Sequence, residues 1–119
     1  MDVLGTQYQD AFRQQNIVAI AHPTMPFPAP LLPTDGDALP PTFEVGGRQY
    51  SDTAILRNAL PSPAFRAPGL SIPAGLTRDG LPVGFEIDGL PAGDDQLLRL
   101  GMGIEALREP LPPPTFRNG

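Results

Sequence analysis

Few side chains in this 119-residue chain can move protons, attack a carbonyl or hold a metal. His22 is the one His, Ser51, Ser62 and Ser71 are the Ser residues, and there is no Cys and no Lys. A Ser nucleophile needs a base at hand, because a free hydroxyl attacks poorly. His22 is the only imidazole for that task, and it stands beside Pro23 at the end of an apolar run. It is either part of a Ser–His–Asp system or a turn residue with locally satisfied nitrogens. A zinc site wants three or four His, Cys or carboxylate ligands, which one His and no Cys do not promise. Asp35 and Asp37 offer oxygens of the kind Ca²⁺ takes, but the rest of a calcium loop is missing. Solvated loop carboxylates are the plainer reading. Glu86 and Asp88 share one strand face and resemble a paired acid site. The alternative makes them the polar face of a hairpin. No phosphate-cradling or dinucleotide fingerprint is present, since Gly101-x-Gly103 falls inside a helix pattern and lacks a third Gly. The expectation is no metal and no cofactor.

These residues must be held by short elements between many turns. Leu4, Tyr8, Ala11 and Phe12 are spaced along one face of an amphipathic helix over residues 2–15. Residues 17–21 are apolar and largely β-branched, which predicts a strand buried on both faces. Seven Pro follow between positions 22 and 42, so that stretch is a long extended or turning loop, or a proline-rich ligand for another domain. Gly46-Gly47 between 43–45 and 48–50 is a two-residue hairpin signature. Ser51 or Asp52 caps a helix of about two turns, ended by Pro61 and Pro63. Leu70, Ile72, Ala74 and Leu76 alternate, as do Val83, Phe85 and Ile87, and Asp79-Gly80 turns the chain between them. Pro73 cannot donate to a ladder, so its strand is an edge there or carries a break. Asp94 or Asp95 caps a last helix with Leu97, Leu98, Leu100, Ile104 and Leu107 on its apolar face. Gly101 and Gly103 permit close backbone packing or lend flexibility. Pro110 stops that helix, and an extended tail follows.

Composition narrows the partners. Pro 17 and Gly 13 make the chain loop-rich, and its length suits a single unit, residues 1–119. The net charge is −5, and all eight basic residues are Arg, with no basic stripe for nucleic acid. No apolar run approaches the ~20 residues of a membrane span, and no signal-peptide pattern opens the sequence. A cytoplasmic location is the default expectation.

The central stretch also carries a resemblance. Pro68-Gly69-Leu70-Ser71-Ile72-Pro73-Ala74-Gly75, leading into Gly80-Leu81-Pro82-Val83-Gly84, resembles the C-terminal strand pair of the amidase signature family of serine amide hydrolases. His22-Pro23-Thr24-Met25-Pro26 is similar to its Pro-Thr-x-Pro turn. Arg57-Asn58 with Pro68-Gly69 is similar to its Asn-to-Pro-Gly approach, and Gly93-Asp94-Asp95-Gln96-Leu97-Leu98 to the start of its last helix. The motifs keep the family's order over nearly the whole chain. The implied fold is α/β: the C-terminal portion of an amidase-signature mixed sheet flanked by helices, with residues 17–21 as an inner strand.

The resemblance implies a division of labour. The family uses a Ser nucleophile, a bridging Ser in a cis peptide and a Lys base, all N-terminal to the matched region. No catalytic residue is therefore expected here, and Ser71 matches a structural hydroxyl. The implied role is to complete the fold and the pocket for an amide substrate, as a fragment or subunit joined by a catalytic N-terminal portion. Met25 and Phe27 in the Pro-rich loop, with Phe65 and Arg66 before the central hairpin, are the pocket candidates. The first three suit an apolar acyl or aromatic group. Arg66 suits a substrate carboxylate, or Glu86 or another surface acid. Those side chains could instead fill the core or a subunit contact. Alone, the chain is expected to be inactive as an amidase and to self-associate through exposed sheet edges. The competing reading is a non-catalytic module that binds a partner.

Overall fold

A computed structural model describes residues 3–31 and 41–115. Two antiparallel sheets and three α-helices make up the described fold, so the α/β expectation holds. Strands β1 (Ile20–Pro23), β5 (Pro82–Asp88) and β4 (Gly69–Leu76) form a three-stranded sheet with β5 in the middle. Strands β2 (Thr42–Val45) and β3 (Arg48–Ser51) form a separate hairpin. Its turn is Gly46-Gly47, with φ of 59° and 78°, the paired positive values that a two-residue turn demands and that Gly tolerates.

The central hairpin matches its sequence pattern. Strand β4 pairs with β5 from Gly69↔Asp88 to Leu76↔Pro82, and the register shifts between Pro73 and Gly75. That irregularity is the break expected of a proline in a ladder. The turn closes through Thr77 N–H donating to Leu81 O at 2.8 Å, with Gly80 at φ 82°.

Residues paired across the strands share a face, so the sheet sorts into two sides. Ile72, Ile87 and Leu97 form the buried core, with Leu70, Phe85, Leu100 and Ile104 against it. Helix α3 (Asp94–Ala106) supplies Leu97, Leu100 and Ile104. It comes so close to β4 that a Cβ on Gly101 would fall 2.3 Å from Leu70 Cδ2, whereas Gly103 meets nothing within 4 Å. The opposite side carries His22, Glu86, Asp88 and Ser71.

Several expectations shift. Strand β1 begins at Ile20 instead of residue 17 and runs through His22 and Pro23. It is an edge strand, and Ile17, Val18 and Ile20 are exposed. Its position follows from pairing with β5, which an apolar run alone does not encode. In α1 (Val3–Gln15) only Phe12 is fully buried, while Leu4 is exposed. Ser51 caps a 3₁₀ helix, Asp52–Ala59, by accepting from Thr53 N–H. Pro61 does not end helical structure: it opens a one-turn helix, α2 (Pro61–Ala64), where a missing N–H costs nothing. Gly93 occupies the N-cap of α3, so Asp94 and Asp95 lie in its first turn, near its positive end. Leu98 and Leu107 are exposed rather than packed. No described helix is long and apolar enough to cross a membrane.

This packing sets an unequal cost for truncation. Ile87 is 2% exposed and Leu98 is 54% exposed. Ile87→Ala is expected to lower the unfolding free energy by ~2–5 kcal/mol. Leu98→Ala should stay within ~0.5 kcal/mol. Urea unfolding followed by circular dichroism measures both, and equal losses would contradict the core assignment.

Candidate functional site

Two groups of side chains stand out, one polar and buried, the other an apolar cavity. The polar group forms where β1 crosses the end of β5. Register brings Ile20 opposite Asp88 and His22 opposite Glu86, while Ser71 of β4 faces Glu86 from the other edge. Glu86 is 8% and Asp88 2% exposed, so they are not a solvated hairpin face. Both edges of β5 are occupied, and side chains from β1 and β4 lie alongside the two acids.

His22 Nε2 lies 2.9 Å from Asp88 Oδ2. His22 Nδ1 lies 2.9 Å from Pro23 O. A carbonyl oxygen only accepts, so Nδ1 carries a proton and donates it there. Asn58 Nδ2–H donates to the same oxygen at 2.8 Å, filling its second lone pair. The imidazole is thus held with Nε2 aimed at the carboxylate. Burial pulls the His22 pKa down, but the Asp88 hydrogen bond, the Pro23 carbonyl and the charges of Asp88 and Glu86 outweigh it and leave it raised. Burial pushes the Glu86 carboxyl up, and the Asp88 charge adds to that against the pull of His22.

Gly69 gives these oxygens room. A Cβ there would lie 3.0 Å from Asp88 Oδ1, 3.0 Å from Ser62 Oγ and 3.1 Å from Glu86 Oε1. Asp88 Oδ1 is buried and receives no hydrogen bond from a described residue. Tyr8 closes the neighbourhood from α1: its hydroxyl donates to Gly89 O at 2.9 Å.

The apolar cavity, about 520 Å³, opens along the loop after β1. Met25 and Phe27 line it together with Val83, Thr24 and Ser71. Thr24 Oγ1 and Ser71 Oγ hydrogen-bond one another over Gly84. A Cβ on Gly84 would sit 2.6 Å from that Thr24 oxygen, so the close approach needs glycine. Phe27 also packs on Phe43 and Tyr50, at ring-centroid distances of 5.2 and 4.5 Å. A second cavity of about 400 Å³ continues past Pro28 to Phe43, Val45 and Ile55.

The four pocket candidates therefore separate. Met25 and Phe27 meet in the cavity. Phe65 instead stacks on Tyr8, centroids 4.6 Å apart at 19°. Arg66 is exposed, with its backbone in the left-handed region at φ 53°. It forms no ion pair with a described residue; Glu86 faces His22 and Asp88 instead. Asp35 and Asp37 lie outside the described residues.

Sequence reasoning missed the His22–Glu86–Asp88 group, whose members are 64 or more positions apart for His22. One signal was present: two acids flanking Ile87 in a strand that otherwise reads as core.

Comparison with known proteins agrees with the motif reading. No family model matches the chain. An indoleacetamide hydrolase of Agrobacterium vitis is 38% identical over 102 residues, covering 86% of this chain and 21% of that protein. A crystal structure of an amidase superposes with a TM-score of 0.64 at 26% identity, over 85% of this chain and 23% of its own. The chain thus spans about a fifth of the length of the hydrolase it matches.

The titration of Tyr8 tests its burial beside the Asp88 charge. Burial, reinforced by the Asp88 carboxylate, pushes its phenol up to about 12 from the ordinary 10.0. The fold favours the neutral phenol, so this stabilisation is complete below pH 10 and is lost as pH climbs from there through about 12. Phenolate absorbance should show a late-titrating Tyr that Tyr8→Phe removes. A Tyr8 ionising near 10 would mean that its hydroxyl is solvated and lies away from the Asp88 charge.

Motifs, sequence match and fold agree over most of its length, and the chain is similar to a segment of amidase-type hydrolases.

Proposed function

We propose that this segment completes the fold of an amide hydrolase and forms one wall of its substrate pocket, while the nucleophilic Ser and the Lys base come from an N-terminal portion. The observation that carries this reading is the cavity that brings Met25 and Phe27 together beside Thr24 and Ser71. Its apolar wall suits an aromatic or aliphatic acyl group and leaves the amide free to reach a nucleophile elsewhere. The name of the Agrobacterium relative points to an aryl-acetamide as the substrate class. Hydrolysis then belongs to the assembled enzyme. The Ser oxygen adds to the amide carbonyl, the C–N bond breaks with release of ammonia, and water frees the acid from the acyl-Ser. Arg66, exposed and away from Met25 and Phe27, is better placed for the surface than for the acyl group.

The radius of gyration, 17.2 Å, supports a role within something larger. A compact domain of this length would have about 13–14 Å. Exposed Leu56, Leu60, Leu98 and Met102 offer apolar surface to a covering portion.

The test mixes this chain with an amidase N-terminal portion bearing the Ser and Lys, then measures ammonia release from indoleacetamide and simple aliphatic amides. Activity is expected only in the mixture. Met25→Ala and Phe27→Ala should each raise KM about 10-fold for the aromatic amide, the loss of ~1–3 kcal/mol of apolar contact. Ammonia release by the chain alone would overturn the assignment.

The same exposed leucines favour a second reading, self-association of the isolated chain. Size-exclusion chromatography with light scattering would show a discrete oligomer that Leu98→Glu with Met102→Glu dissolves. A monomer at all concentrations would remove this reading.

A further inference from the structure

We propose that His22 Nε2, Glu86 and Asp88 form a binding site for one divalent first-row metal ion, with Zn²⁺ the best chemical match. One imidazole nitrogen and two carboxylates make a donor set of the kind that Zn²⁺ accepts. The ligand atoms all lie within 4.8 Å of one another. Around a tetrahedral ion they would stand ~3.3–3.5 Å apart, given bond lengths of ~2.0–2.2 Å. Side-chain adjustment on binding would have to close the remainder.

Three observations point to a cation rather than a self-contained ion pair. First, the imidazole is set as metal-binding histidines are. Nδ1–H is committed to Pro23 O at 2.9 Å, a carbonyl anchor that fixes ring orientation and leaves Nε2 for the ligand. The Nε2···Oδ2 contact at 2.9 Å places two acceptors face to face unless positive charge lies between them. Second, two carboxylates, 8% and 2% exposed, face a single imidazole, so the group is neutral only if protons sit on both His22 and Glu86 or a divalent ion replaces them. A divalent ion with a neutral imidazole brings the group to zero. Third, Asp88 Oδ1 is buried with no hydrogen-bond donor, and it lies on the same small patch over Gly69 as Glu86 Oε1 and Ser62 Oγ. A ligand-accepting oxygen is therefore already desolvated beside the other two carboxyl and hydroxyl oxygens. His22, 19% exposed, leaves a route from solvent.

The expectation of no metal drawn from residue counts rested on there being one His and no Cys. Two buried carboxylates make up the deficit, and their burial is visible only in the fold. The site shares no ligand with Met25 and Phe27, so it would buttress the β1–β5 junction instead of acting on substrate.

The experiment uses the full 119-residue chain freed of metal with a chelator. Because His22 is the only His, its ring nitrogens give the only imidazole signals in a long-range ¹H–¹⁵N spectrum. Titration with Zn²⁺ alone should shift Nε2 from the protonated to the metal-bound range while Nδ1 stays protonated, saturating at one equivalent. Calorimetry should give the same stoichiometry. His22→Gln and Asp88→Asn should each weaken binding by more than ~100-fold, beyond the ~10–100-fold of a merely supporting residue. Glu86→Gln keeps the side-chain volume and should weaken it as well. Zn²⁺ should raise the melting temperature of the parent chain and of no ligand variant. Circular dichroism checks that each variant folds; the imidazole spectrum of the parent chain decides the matter even if one does not. A His22 ring that stays an imidazolium through saturating Zn²⁺, with no one-to-one heat, would overturn the proposal and leave a proton as the bridge. Zn²⁺ binding that survives His22→Gln would overturn it equally.

Discussion

The pairing of β5 on both of its edges is the constraint on which the rest of the described structure depends. A strand so placed has its backbone groups satisfied, and its side chains alternate strictly between two faces. Phe85 and Ile87 fall toward α3, where Leu97 and Ile72 complete an apolar core. Glu86 and Asp88 fall on the other side, where burial would be costly without a partner. The partner comes from β1, and only in one register. With Ile20 opposite Asp88 and His22 opposite Glu86, the imidazole reaches Asp88 at 2.9 Å. A slip of one residue would turn His22 to the core face and leave two buried carboxylates alone. The charge on one face and the methyl groups on the other therefore select the same register.

Much of this was legible locally. The Gly46-Gly47 turn, the β4–β5 pair and the interruption at Pro73 depend on residues near one another, and turn chemistry with period-two alternation is enough to read them. The helices α1 and α3 follow the same logic. What was not legible is non-local. The start of β1 at Ile20 is set by pairing with β5 some 64 residues on, while the apolar run from residue 17 invites an earlier start. Glu86 and Asp88 alternate with apolar residues as a solvated face would. Only the presence of β1 and β4 on either side turns that pattern into a buried one. Phe65 looked like a pocket residue because it lies in a loop, yet Tyr8, 57 positions earlier, takes it as a stacking partner.

Glycine has distinct uses on the two sides of the sheet. On the core side Gly101 lets α3 approach Leu70. On the polar side Gly69 and Gly84 leave room for oxygen atoms: Asp88, Glu86 and Ser62 over one, Thr24 and Ser71 over the other. A side chain at either place would push those polar groups apart. Those two glycines belong to the Pro-Gly and Val-Gly steps of the strand motifs. Their role here is to let hydroxyls and carboxylates gather, which is a different demand from the positive φ that Gly46, Gly47 and Gly80 satisfy.

The Thr24–Ser71 pair also bears on how the cavity would choose a ligand. One hydroxyl donates to the other, so the accepting one keeps its own O–H and both oxygens keep free lone pairs. A polar substrate group can therefore bond to the pair without breaking it, while the walls around the pair are apolar. Met25 adapts its shape to an irregular group, and Phe27 is braced by Phe43 and Tyr50, so it presents a firm aromatic surface. On the proposed function, discrimination at this wall would combine size, stacking on the ring and hydrogen bonding to the hydroxyl pair, so the segment would decide which acyl group is admitted while the bond that breaks lies against the N-terminal portion.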